Sequence, residues 1–112
     1  MQKKIKLTFA IPKRMQKEMR EKITADGYSM RGKSDWVAEA INSLLKSPNM
    51  HEFVNINDDL TGLDKMETIL VSTELKDKLS QAVLDIRREN LALEGIQSRI
   101  IRASILQRLL RN

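Results

Sequence analysis

Ile5-Lys6-Leu7-Thr8-Phe9-Ala10-Ile11-Pro12 is the stretch on which the fold turns. Ile5, Leu7, Phe9 and Ile11 alternate with Lys6, Thr8 and Ala10. A period of two sends successive side chains to opposite faces of a strand, so one face is apolar and the other carries lysine, threonine and alanine outward. Pro12 ends the strand because it has no N–H for a ladder, and its fixed φ suits a helix start. From Lys13 the period changes: Met15, Met19 and Ile23 recur every fourth residue between charges, which predicts an amphipathic helix. Asp26-Gly27 closes it, with Gly27 as the residue just past the end. After a polar turn over residues 28–33, Ser34 is expected as the N-cap of a second helix, with Asp35 in its first turn. Trp36, Val37, Ala40, Ile41, Leu44 and Leu45 form its apolar stripe, which stops before Pro48.

The order then repeats. Thr68-Ile69-Leu70-Val71 is a short, β-prone apolar run. Ser72 or Thr73 caps a helix with Leu75, Leu79, Ala82, Val83 and Ile86 on one face, ending around residues 88–93. Gly95 breaks the chain, and Ser98 is expected to cap a last helix with a stripe of Ile100, Ile101, Ile105, Leu109 and Leu110. Met15 and Met19 align with Leu75 and Leu79 at an offset of 60, whereas Ser34, Val37, Ile41 and Leu45 align with Ser98, Ile101, Ile105 and Leu109 at 64. The four extra residues predict one additional turn at the end of the third helix. This pattern reads as an internal duplication of strand–helix–helix. One such unit alone leaves a bare strand edge and an uncovered apolar face, so the two units are expected to pair strand to strand over four helices. The expected fold class is mainly α with a two-stranded antiparallel ribbon, pseudo-twofold within one chain. Its parts are a first repeat over 1–47, an acidic connector over 48–64 and a second repeat over 65–112. At roughly 3.3 Å per extended residue, the connector is long enough to return across a small domain.

Composition narrows the function. Among 112 residues there is no cysteine, and His51 is the single histidine, which removes thiolate chemistry and most zinc and histidine-based catalysis. No phosphate-cradling glycine loop or nucleophile elbow is present, so no cofactor and no enzymatic activity are expected. No apolar run approaches the roughly 20 residues of a membrane span, and the N-terminus lacks a signal-peptide core, so a cytoplasmic protein without membrane association is expected. Charge is uneven: the net is +6 over residues 1–47, −4 over 48–64 (Glu52, Asp58, Asp59, Asp64) and +3 over 65–112. With a pI near 9.7, polyanion binding is the natural suspicion. Phe53, Val54, Ile56, Leu60 and Leu63 suggest that the connector packs on the body. Trp36 reads as core, not as a stacking platform.

The run 5–12 with Met15 and Met19, Gly27, and Lys33-Ser34-Asp35-Trp36-Val37-Ala38-Glu39-Ala40-Ile41 resembles the ribbon–helix–helix DNA-binding proteins of the Arc and Met repressor type. The second copy, with Leu75 and Leu79 and Ser98-Arg99-Ile100-Ile101-Arg102-Ala103-Ser104-Ile105, looks like the same unit. The tandem form is similar to TraY-type accessory proteins of conjugative relaxosomes, and the resemblance covers about 90 of the 112 residues. It implies double-stranded DNA as partner, with a relaxase or other DNA-processing protein as a second one. It also implies a monomeric pseudo-dimer, with assembly of further copies on DNA left open. A plasmid-transfer accessory protein and a transcriptional repressor share this chemistry. An antitoxin-type regulator is a rival reading, disfavoured because the sequence ends on helix residues. A helical protein-interaction scaffold without a DNA role is another.

A two-stranded ribbon fits the major groove, where each base pair shows its own donor and acceptor pattern. The base-reading candidates are Lys6, Thr8 and Ala10 on the first strand and Met66, Thr68 and Leu70 on the second. In the family the matching positions read bases. Lysine donates to guanine O6 and N7, threonine offers a hydroxyl or a methyl, and leucine and methionine can meet thymine methyls. The phosphate-binding candidates are Lys4, Lys33, Ser34, Ser98 and Arg99, since helix N-termini favour anions and the family clamps phosphates at the start of its second helix. Arg31, Arg102 and Lys13-Arg14 are secondary candidates. The alternatives are a merely soluble ribbon, plain helix caps, and packing of Met66 and Leu70 on a neighbour. A one-residue slip of the second strand would exchange its faces.

Overall fold

In a computed structural model of the chain, which describes residues 3–56, 63 and 65–111, β1 (Lys4–Ile11) leads through Pro12 into α1 (Lys13–Ala25). A 3-10 turn at Met30–Gly32 precedes α2 (Lys33–Leu45), and a short α3 (Met50–Ile56) follows. β2 (Lys65–Ser72), α4 (Thr73–Glu89) and α5 (Ile96–Leu110) complete the described chain. The protein is mainly helical, with one two-stranded antiparallel sheet. Of the connector residues expected to be acidic or apolar, Asp58, Asp59, Leu60 and Asp64 lie outside the described residues.

The two strands pair over their full length. Thr8 sits opposite Thr68 at the centre, Lys4 opposite Ser72 and Ile11 opposite Lys65. Leu7, Phe9 and Ile11 of β1 and Ile69 and Val71 of β2 point inward and are buried. Lys4, Lys6, Thr8, Met66 and Leu70 lie on the opposite, exposed face, with Ala10 and Thr68 half-buried beside them. β2 begins earlier than its apolar run suggests, because the equally long β1 supplies ladder partners for Lys65, Met66 and Glu67.

The helices form where the apolar period demands. Met15, Met19 and Ile23 bury one face of α1. Gly27 closes that helix at φ 87°, and the Gly27 and Tyr28 amides return to the Thr24 and Ile23 carbonyls at 3.0 Å each. Ser72 caps α4 by accepting the Leu75 N–H at 3.1 Å. At 17 residues against 13, α4 exceeds α1 by the one turn that the two offsets require.

Two local expectations are corrected, the serine caps and the end of the last apolar stripe. Ser34 and Ser98 are not N-caps: Gly32 and Gly95 hold those positions, and the serines lie inside the first turns. The 3-10 turn, closed by Gly32 N–H on the Ser29 carbonyl at 2.8 Å, runs straight into α2, while left-handed Gly95 (φ 63°) bends the chain into α5. The connector packs on the body as its apolar residues suggest: α3 seats Met50 and Val54 in the core with Phe53 packed beside them, while Leu63 is exposed. Leu110 is 67% exposed, past the end of the α5 stripe.

α5 is the central element, packing on α1, α2, α3, α4 and β1. It is therefore buried on all sides from Ile100 to Ile105, including Arg102 and Ser104. Ser104 meets its need internally by donating to the Ile100 carbonyl at 2.7 Å. Ile101 is fully enclosed, so Ile101→Ala should leave a cavity and lower unfolding free energy by about 2–5 kcal/mol. Leu110→Ala should change it by less than about 0.5 kcal/mol. Urea unfolding of both variants checks the pair.

Candidate nucleic-acid interface

The exposed face of the ribbon is a ladder of facing pairs. Lys4 stands opposite Ser72, Lys6 opposite Leu70, Thr8 opposite Thr68 and Ala10 opposite Met66. All six sequence-predicted base readers thus share one face. Met66 is 62% and Leu70 50% exposed, so neither packs away against the body. The two threonine hydroxyls bond each other across the centre at 3.1 Å, leaving one O–H and several lone pairs free to turn outward. No ion pair or hydrogen bond among the described residues holds the Lys4 or Lys6 ammonium. Chemically, the face offers two exposed cations, two hydroxyls and three apolar groups.

Two side chains close the outer edges of this ribbon. Ser34, at the start of α2, accepts the Leu70 backbone N–H at 3.0 Å. Arg102, from α5, donates to the Ala10 carbonyl at 3.0 Å. Each satisfies a strand group that the partner strand cannot reach, and each removes a free pairing edge. Arg102 is 4% exposed, so it fastens the ribbon from within and is corrected from a candidate phosphate contact to a structural one.

Beneath the ribbon lies a charge the sequence reading missed. Glu67 occupies an inward position of β2 and is 3% exposed. Its carboxylate accepts hydrogen bonds from Gln16 Nε2 at 2.6 Å, Arg20 Nη2 at 3.0 Å and Lys33 Nζ at 2.8 Å. Helices α1 and α2 are thereby bound to the strand of the other half of the chain. The signal was available: Glu67 falls in phase with Ile69 and Val71, an acid on the apolar side of an alternating run. Lys33, a phosphate-binding candidate, is paired through this site with Glu67. Arg99 donates Nε to the Glu94 carbonyl at 3.1 Å, bracing the turn before α5, and Ser98 lies half-buried in the first turn of that helix. Among the secondary candidates, Lys13 and Arg31 are exposed, and Arg14 pairs with Glu18 at 3.1 Å.

A second cluster joins the far ends of the helices. Trp36 is fully buried and donates its indole N–H to Asp26 at 2.9 Å. The Arg108 guanidinium lies 4.6 Å from the Trp36 ring centroid and 5.6 Å from that of Tyr28, and it donates to the Trp36 carbonyl at 2.7 Å. Tyr28 in turn hydrogen-bonds Glu39. The Trp36 hydrogen bond holds the Asp26 carboxyl below its usual value, with Lys22 and Arg108 adding to this against an opposing push from burial. His51 Nδ1 meets Glu89 at 2.7 Å, tying α3 to α4. Among the described residues, no group of three or more His, Cys, Asp or Glu side chains could hold a metal ion, and no helix is long and apolar enough to cross a membrane.

Burial pushes the Glu67 carboxyl up, but hydrogen bonds from Lys33, Gln16 and Arg20 and the Lys33 charge outweigh it and hold it below its ordinary value of 4.5. A depressed folded value adds stability that is complete above the unfolded value and is lost as pH falls through the folded one. Thermal stability should therefore decline below about pH 4.5 as Glu67 protonates, with Asp26 adding its loss only below its own ordinary value of 3.8. Glu67→Gln should cost roughly 1.5–3 kcal/mol at neutral pH, the worth of hydrogen bonds to a charged group, and should flatten the acid limb. Melting curves from pH 7 down to pH 3 check both.

The chain matches no protein-family model, no curated protein and no solved structure.

Proposed function

We propose that this chain is a tandem ribbon–helix–helix protein, a single-chain pseudo-dimer that binds double-stranded DNA sequence-specifically. In this reading the exposed face of the ribbon enters the major groove. The observation that carries it is the facing ladder of Lys6 with Leu70, Thr8 with Thr68 and Ala10 with Met66, presented on a ribbon whose other face is buried. A ribbon of this kind fits the groove, and these side-chain types meet base edges there. The double order of strand, helix and helix supports the tandem reading, as does the one-turn difference between α1 and α4. So does the net charge of +5.

Phosphate anchoring is redistributed relative to the sequence expectation. Lys33 is engaged with Glu67 and Arg99 with a loop carbonyl, so neutralisation falls to Lys4 at the start of β1 and Lys13 at the start of α1, both exposed. A relaxosome accessory protein and a transcriptional repressor would both use this surface, and the proposal extends to either role. A relaxase or another DNA-processing protein would be the further partner in the first.

Binding of the full chain to a selected site and to random DNA tests the reading. Lys6→Ala should weaken the selected site by about 1–3 kcal/mol and leave random DNA nearly unchanged. Lys4→Ala and Lys13→Ala should weaken both DNAs alike, each reducing the log–log salt slope by roughly one. Equal affinity for all sequences in every variant overturns sequence-specific reading by the ribbon.

Assembly gives a separate check. Both strands belong to one chain, so light scattering at micromolar protein should report a folded monomer without DNA. An obligate dimer that unfolds on dilution contradicts the pseudo-dimer.

A further inference from the structure

The ribbon pairs its residues in a way that makes its two ends chemically unlike. One end carries Lys4 and Lys6 on β1 with Leu70 and Ser72 opposite; the other carries Ala10 on β1 with Met66 opposite. Thr8 and Thr68 mark the centre. The offset of 60 that superposes the strands would map Lys6 onto Met66 and Ala10 onto Leu70. A twofold ribbon would repeat its lysine; this one places a methionine there, 62% exposed. From the centre outward, one direction therefore offers cations and an aliphatic group, and the other offers apolar groups alone.

Resting on the DNA reading above, we propose that the ribbon recognises a non-palindromic site. A guanine lies under the Lys6 end, and thymine methyl groups lie under Leu70 and under the Ala10–Met66 end. The chemistry assigns each part. Lysine is a three-donor cation that matches guanine O6 and N7, both acceptors in the major groove. Leucine, methionine and alanine have no donor to offer, and the thymine 5-methyl is the apolar group the major groove presents. Lys6 and Ala10 are four residues apart, about 13 Å at 3.3–3.4 Å per residue. With the ribbon laid along the groove, that spans about four base-pair steps at 3.4 Å. The site's centre, under the paired threonine hydroxyls, accepts either a donor or an acceptor, so the discrimination concentrates at the two ends.

Selection from a random double-stranded pool with the full chain, at one fixed salt concentration, tests this. The expected product is an asymmetric core with a guanine and a neighbouring thymine at the Lys6–Leu70 end and thymines without guanine at the Ala10–Met66 end. Replacing those thymines by uracil removes only the methyl and should cost about 4-fold per contacted base. Lys6→Ala should cost roughly 5- to 150-fold on the guanine-bearing site and abolish the preference for guanine. Met66→Lys, at an exposed position, should leave the melting temperature unchanged and shift the selected site toward an inverted repeat with guanine at both ends. A perfect palindrome selected by the unmodified chain, or indifference to uracil at both ends, overturns the asymmetric assignment while leaving DNA binding in place. Failure to enrich any sequence overturns the DNA reading itself.

Discussion

The antiparallel pairing of β1 with β2 is the constraint on which everything else depends. Among the described residues, neither strand has a neighbour other than the other. A lone strand of eight residues would expose its backbone groups and leave Leu7, Phe9 and Ile11 uncovered. Pairing solves both problems together and, because strand side chains alternate, settles which residues face inward and which face outward. A slip by one residue would bury Lys6 and Thr8 and expose Phe9. The register centred on Thr8 and Thr68 is thus enforced by the aliphatic core beneath it.

That core is held to the ribbon by a few polar fasteners. Glu67 binds Gln16, Arg20 and Lys33, Arg102 reaches the Ala10 carbonyl, and Ser34 takes the Leu70 amide. Each joins a helix to a strand distant in sequence. Buried polar contacts of this kind add little net stability over a well-packed apolar alternative, but breaking one side strands the other and is costly. Their effect is to specify how helices and ribbon meet. Apolar residues attract without direction, whereas Glu67 accepts three donors only when α1, α2 and β2 are in their observed places.

Much of this architecture was legible in the residues. The alternation from Ile5 to Ile11, the switch of period at Pro12, and the fourfold spacing of Met15, Met19 and Ile23 specify the first strand and helix without ambiguity. The two offsets foresaw the longer α4. The outward set Met66, Thr68 and Leu70 followed from the phase of Ile69 and Val71. What escaped was what depends on contacts between distant segments. Ser34 looks like a cap because serine before an acidic first turn usually is one, yet its hydroxyl serves Leu70, which lies 36 residues further along the chain. Lys33 and Arg102 look like surface cations because a sequence does not reveal that a carboxylate or a strand carbonyl will stand beside them. α3 was hidden for a simpler reason: seven residues make too short a window to separate a helix from an apolar linker.

The wide separation of the two strands also orders events during synthesis. The nearest facing pair, Ile11 with Lys65, encloses more than 50 residues, and the last, Lys4 with Ser72, encloses more still. Helical segments such as α1 form from local contacts, whereas the ribbon must wait for the closure of a long loop. A ribosome releasing this chain at about 5–20 residues per second has already exposed β1 for several seconds before Ser72 is joined. During that interval the inward face of β1 has no strand to cover it, and the outward face is not yet a ribbon. The nascent chain therefore acquires its recognition surface late, and α4 and α5, which support it, are made later still.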